Sequence, residues 1–234
     1  MAPAEPPATA GGSWSGARFD RGVFAVGLAG FCAFLDLYAT QSLLPLLART
    51  FQVTALEVSA TVSATTIAVA IAAPIIGPLA ERFDRKRVIT GAALLLSLPT
   101  FGAAWAETLH QLVAFRFLQG LCMPAIFAVT IAYVSEEWTG KGVGVAMSGY
   151  ITGNILGGVT GRVITGWVAA HYGWHGSFLV LGFLNLLAAA GLIAFLPSPR
   201  GVRKRGQRTS LASMLGHLRD KRLIAAYAAG FNVL

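Results

Sequence analysis

The sequence predicts an all-α polytopic membrane protein. Three observations carry that expectation. Of 234 residues, 55% are hydrophobic and only 12% are charged, about half the charged share of a soluble domain. The charges leave long gaps: Val58 to Ala80, Val88 to Ala106 and Gly176 to Leu196 contain none. Lys and Arg also gather on one side of the apolar runs. A bilayer core ~30 Å thick needs about 20 apolar residues in a helix, and backbone in lipid must satisfy its own hydrogen bonds. Barrel strands would alternate apolar and polar residues, and these runs do not.

The elements follow in order. Residues 1–20 are rich in Pro, Ala and Gly and are expected to form a disordered cytoplasmic tail. Residues 21–196 are expected to form a six-helix transmembrane domain, with spans near 22–48, 57–80, 88–106, 109–134, 142–170 and 175–196. Residues 197–222 read as a basic cytoplasmic linker, a solvated connector or a partner of anionic headgroups. Residues 223–234 read as the start of a seventh span, since twelve residues of helix cover only ~18 Å. The expectation is an N-terminal half plus the start of helix seven, with the lipid bilayer and the missing C-terminal half as partners.

Counted along alternate sides, fifteen Lys and Arg fall on one side and Arg49 alone on the other, with Arg116 and Arg162 inside the membrane. The positive-inside rule puts the N-terminus and the loop "GPLAERFDRKRV" (Gly77 to Val88) in the cytoplasm. The net charge of +8 is read the same way, and no nucleic acid is expected. Cys32 and Cys122 lie in apolar runs and are assigned packing roles. His110, His171, His175 and His217 are read as interfacial.

The chain also carries an internal echo. Shifted by 89 residues (166 minus 77), "GPLAERF" falls on "GWVAAHY", aligning Gly77 with Gly166, Ala80 with Ala169 and Phe83 with Tyr172. The first copy follows span two and the second follows span five, on opposite faces. Spans one to three and four to six therefore read as one three-helix unit used twice in inverted orientation. This is a transporter construction with sites near the midplane.

"GPLAERFDRKRV" resembles the cytoplasmic signature between helices two and three of the major facilitator superfamily. "RFLQGLCMPA" (Arg116 to Ala125) resembles that family's fourth-helix motif. "GYITGNILGGVTGRVITGW" (Gly149 to Trp167) resembles the Gly-rich fifth-helix motif of its proton-driven exporters. With "YVSEEW" and "HYGWHGSF", the pattern is most similar to arabinose-efflux-permease-like inner-membrane transporters. The resemblance implies secondary transport by alternating access, with a small drug-like or sugar-like molecule exported in exchange for protons. Uptake, proton-independent passage and a non-transporting scaffold stay open beside it. Glu81 and Asp84 stand where the family has Asp and Gly, and Asn154 stands where it has Pro. A turn Gly often needs φ > 0, which Asp tolerates, so Asp84→Gly is expected to tighten the loop.

Asp36 is the sharpest single residue. It lies about 15 residues past Arg21, hence ~22 Å along the first helix, where a charge normally faces a cavity or a partner. Burial favours a neutral carboxyl and a nearby Arg favours a charged one, so a balanced site binds and releases a proton. The resemblance implies that the fourth-helix Arg sits close to the proton-coupling site, so Asp36 is expected to be the proton carrier and Arg116 its partner, with Arg162 a weaker candidate. Tyr38, Gln41, Gln119 and Asn154 are candidates for substrate hydrogen bonds or for plain interhelical bonding. Gly149, Gly153, Gly157, Gly158 and Gly161 recur at helical spacing and are read as one close-packing face. Gly77, Glu81, Arg82, Asp84, Arg85 and Arg87, with Glu136 and Glu137, are expected to form a cytoplasmic gate that latches one state. No Gly-Lys-Ser/Thr loop and no metal-spaced His/Cys/Asp cluster is present, so no enzyme, cofactor or metal site is expected.

Overall fold

A computed structural model describes residues 16–198. It consists of α1 (Gly16–Ala39), a short 3-10 turn (Thr40–Leu43), α2 (Leu44–Phe51), α3 (Ala55–Ala80), α4 (Arg85–Ala104), α5 (Leu109–Glu137) and α6 (Lys141–Phe195). The linker beyond Ser198 and the start of a seventh span lie outside the described residues. Helix α1 begins at Gly16, so helix reaches back into the stretch expected to be a tail.

Among the described residues, five helices are long and apolar enough to cross a membrane, and the last of them supplies two crossings. Straight, the 55 residues of α6 would run ~82 Å, far beyond a bilayer. Gly173 breaks it, with φ 76° and ψ 170°, a conformation that glycine alone adopts at little cost. Beyond it the chain doubles back: Ser177 Oγ donates to Thr165 O at 2.8 Å, although twelve helical residues would separate them by ~18 Å. The arms before and after Gly173 are called α6a (141–172) and α6b (174–195), spans five and six.

Span one is interrupted instead of broken. Pro45 stands at the start of α2, has no N–H to give and crowds the carbonyl four residues back. The chain answers with the 3-10 turn at Thr40–Leu43 and continues to Phe51. Three other starts are capped by side chains. Thr54 forms a capping box with Glu57, Asp84 accepts from Arg87 N, and Thr108 accepts from Gln111 N.

The helices pack in register. Added Cβ atoms at Gly149, Gly153, Gly157 and Gly161 would meet Val23, Gly27, Phe31 and Leu35. The next step of four is Thr165, whose Oγ1 donates to Ala39 O at 2.9 Å. Both series rise together, so α1 and α6a run parallel. On α6b the order reverses: Gly191 faces Leu28 and Asn185 faces Asp36, so α6b is antiparallel to α1. The inverted repeat is visible in the contacts. Gly120 on α5 lies against Ala68 on α3, and Gly157 lies against Phe31. A displacement of 89 residues turns the first pair into the second.

Small-residue contacts matter here because apolar burial does not drive helices together in lipid. Gly153→Ala and Gly157→Ala are each expected to destabilise the bundle by ~1–3 kcal/mol through overpacking. Gly91→Ala meets nothing within 4 Å and is expected to be neutral or slightly stabilising. Thermal unfolding of the three variants in one detergent checks the contrast.

Candidate functional site

Two apolar clusters fill the bundle. One gathers residues such as Ala29, Ile89, Ile126 and Leu192, the other Leu43, Ala103, Leu112 and Phe178. Between them lies a polar layer of Asp36, Thr100, Arg116, Gln119 and Asn185, all with no solvent-exposed surface. It draws on α1, α4, α5 and α6b, so four spans converge on it.

Arg116 was expected to pair with the Asp36 carboxylate. The structure joins them differently. Arg116 Nη1 donates to the backbone carbonyl of Asp36 at 3.0 Å and to Gln119 Oε1 at 2.6 Å. Nη2 reaches Leu37 O at 3.4 Å and Nε reaches Thr61 O at 3.3 Å. Four of five guanidinium N–H groups are thus used on protein. The two α1 carbonyls belong to the last turn of the helix, just before the 3-10 turn, where the regular helical ladder gives out. Arg116 therefore closes the interrupted end of α1.

The carboxylate has its own partners. Asn185 Nδ2 donates to Asp36 Oδ2 at 2.6 Å, and Thr100 Oγ1 lies 3.3 Å from Oδ1. Gln119 Nε2 donates to Thr100 Oγ1 at 2.8 Å. The path between the charges is Arg116, Gln119, Thr100, Asp36. The carboxylate–guanidinium bond is replaced by a relay because the arginine is committed to backbone. Cys32, assigned to packing, extends the layer: its Sγ lies 3.7 Å from Asn185 Oδ1.

A second group sits one turn further along. Arg162 Nε donates to Gln41 Oε1 at 3.0 Å, and its guanidinium carbon lies 4.3 Å from the centre of the Tyr38 ring. Gly158 departs from the glycine stripe. An added Cβ there would come within 3.0 Å of Tyr38, so it seats that ring. Asn154 joins neither group. It faces Gly30 in the seam, and its Oδ1 is buried with no hydrogen-bond partner among the described residues.

At the loop end, the Arg85 guanidinium grips Glu136 through Nε and Nη2, linking the α3–α4 loop to the end of α5. Asp84 has φ −63° and ψ 124°, an extended cap position and no seat for positive φ. Its Oδ1 accepts from Arg87 N at 3.1 Å. Asp84→Gly would therefore remove a cap and would not tighten the loop. Glu81 ends α3, Arg82 and Arg87 are exposed, and Gly77 has open space around it. Among the described residues no cluster of three His, Cys, Asp or Glu could hold a metal ion.

The profile described as Major Facilitator Superfamily matches residues 26–234. The chain belongs to the Major Facilitator Superfamily. An uncharacterized transporter of Buchnera aphidicola subsp. Schizaphis graminum is 32% identical over 219 residues, covering 93% of this chain and 53% of that protein. The inner membrane transport protein YnfM of Escherichia coli K12 is also 32% identical over 219 residues, covering 93% and 52%. The proton:xylose symporter XylE has a similar fold, with a TM-score of 0.73 at 17% identity over 92% of this chain and 52% of its own. The fold is that of the N-terminal half of superfamily structures, and the chain spans about half the length of the relatives it matches. Superfamily members are transporters, as the absence of enzyme motifs led one to expect.

Two members of the buried layer were not singled out from sequence, Thr100 and Asn185. Each is one polar residue in an apolar run, "LPTFGA" and "GFLNLL", and such residues inside a membrane span are the signal that points to them. Thr100 Oγ1 is the node on which Gln119, Asn185 and Asp36 meet. Thr100→Val keeps the shape and removes the node, leaving buried donors unpaired at ~1–3 kcal/mol. It is expected to lower the unfolding temperature clearly. Thr66→Val, where the exposed hydroxyl reaches only Val62 O at 3.2 Å, is expected to leave it nearly unchanged.

Proposed function

We propose that the chain supplies the N-terminal half of a secondary transporter that exports a small organic molecule in exchange for protons by alternating access. The carrying observation is the Asp36 carboxyl. It is fully buried in a layer that accommodates it with or without a proton. Ionised, it accepts from Asn185 and Thr100. Protonated, its Oδ1–H donates to Thr100 Oγ1, whose own hydrogen turns to Leu96 O, 2.8 Å away. Thr100 Oγ1 has two acceptor positions, so the new O–H displaces the long 3.3 Å contact from Asn185 Nδ2, which keeps its bond to Asp36 Oδ2. Proton uptake then exchanges one weak contact for one hydrogen bond, which keeps the desolvation cost low.

Coupling to shape follows from where the layer sits. Arg116 and Asp36 meet near the interruption of span one, the path between them runs through α5 and α4, and Asn185 ties α6b to its Asp36 end. A change in Asp36 charge is felt at the point where α1 bends. The parallel glycine seam lets α1 and α6a sit backbone to backbone, and the Arg85–Glu136 grip biases one state. A single such pair contributes ~0–1 kcal/mol when exposed, and shifting a two-state balance needs only a few kcal/mol. The basic loops support a cytoplasmic N-terminus. Export rests on the Gly-rich fifth-helix motif. Among the relatives, the 4-hydroxybenzoate transporter PcaK of Pseudomonas putida is 31% identical over 175 residues, which supports a small organic cargo.

Asp36→Asn keeps the shape and one acceptor but cannot cycle a proton. In the complete transporter, reconstituted in liposomes, it is expected to abolish flux driven by a pH gradient while leaving counterflow exchange. Gradient-driven flux that survives Asp36→Asn would overturn proton coupling through this residue and favour a proton-independent permease. No flux from the unaltered complete protein against a substrate panel would favour a scaffold.

A further inference from the structure

We infer that Arg162, held by Tyr38 and Gln41, binds a carboxylate of the transported molecule. This assigns a substrate class, small organic anions, to the transport reading above and rests on it. The two arginines inside the membrane supply the argument, because they are treated oppositely. Arg116 is fully buried, with four of its five N–H groups bonded to protein. Arg162 has an exposed side chain and uses one of its five, through Nε to Gln41 Oε1. Both Nη groups, four N–H donors, have no hydrogen-bond partner among the described residues. No carboxylate among the described residues lies within 4.0 Å of Arg162.

Depth makes this arrangement informative. Arg162 is eleven residues before Gly173, the outer turn of α6, hence ~16 Å into a ~30 Å core. Lipid against four bare donors and a charge would be costly, so this face belongs to an aqueous or ligand-filled space. The side chain is also preset. Its flat face lies on the Tyr38 ring, 4.3 Å away, in cation–π contact. Its near edge is pinned by Gln41, and Tyr38 itself packs against bare Gly158. What remains is the planar fork of Nη1 and Nη2, whose geometry matches a carboxylate bidentately. Electrostatics agrees. Asp36 and Arg116 offset each other within the relay, and Arg162 leaves one positive charge that a neutral sugar would not match.

Binding of benzoate and its neutral isostere benzamide to the 234-residue chain in nanodiscs, followed by saturation-transfer difference NMR, tests this. Benzoate is expected to bind and benzamide not to. Arg162→Gln is expected to weaken benzoate about tenfold to a hundredfold, the effect of losing a charge-assisted pair, and Arg162→Lys to restore part of it. Circular dichroism confirms that the variants fold. Absence of benzoate binding, equal binding of the two probes, or benzoate binding unchanged in Arg162→Gln would overturn the inference. The last of these is also the outcome expected if a carboxylate elsewhere in the protein occupies the fork. The two readings fail separately. Proton-driven flux untouched by Arg162→Gln sinks the anion site alone, whereas intact benzoate binding with no flux in the complete protein sinks transport alone.

Discussion

A guanidinium with no exposed surface must find partners on every side, and Arg116 meets that requirement by taking backbone. Its bonds to the carbonyls of Asp36, Leu37 and Thr61 hold α5 against both α1 and α3. They also bind the last turn of α1, where span one passes into the 3-10 turn. Once the arginine is spent in this way, the Asp36 carboxyl has to be satisfied by others. Thr100 and Asn185 do so, and they bring α4 and α6b to the same point. The six-span packing therefore converges on one polar layer set between two apolar clusters.

This arrangement separates two tasks that the sequence alone assigns to one ion pair. Arg116 has a structural task, closing a broken helix end. Asp36 keeps a carboxyl whose partners are a hydroxyl that can turn and an amide. The relay through Gln119 and Thr100 keeps the two in communication without locking the acid into a buried salt bridge, whose breaking would cost several kcal/mol. A group proposed to gain and lose a proton is better held this way. Arg162, two residues from Asp36 through Tyr38, stands outside the relay with its fork unspent.

The spans were legible because lipid imposes a coarse rule: long charge-free runs separated by charged loops. The hairpin at Gly173 is readable in "HYGWHGSF", where a glycine interrupts an otherwise helical stretch. The four-residue glycine spacing announced a close seam, and the structure finds α1 in register along it. Gly158 was misread because adjacent glycines cannot share a helical face, and its neighbour Gly157 occupies the seam. Asp84 was compared with a family glycine, although an Asp directly before a helix is itself a cap signal. Thr100 and Asn185 escaped notice because one polar residue in an apolar run carries no periodicity. Only the folded arrangement tells which hydroxyl or amide meets Asp36. The form of the Asp36–Arg116 contact was hidden for a related reason: charge attraction is visible in sequence, but the draw of the α1 carbonyls, which takes Arg116 to the Asp36 backbone in place of its carboxylate, is not.

In this arrangement Asp36 is proposed to sense Arg116 through Gln119 and Thr100. Infrared difference spectroscopy of the reconstituted chain across a pH titration reads that coupling. The protonated Asp36 carboxyl should give a C=O stretching band that is missing in Asp36→Asn. In Gln119→Leu that band should move in frequency, although Gln119 makes no hydrogen bond to Asp36. A band that is unchanged in Gln119→Leu would contradict the relay and return Asp36 to a site isolated from Arg116.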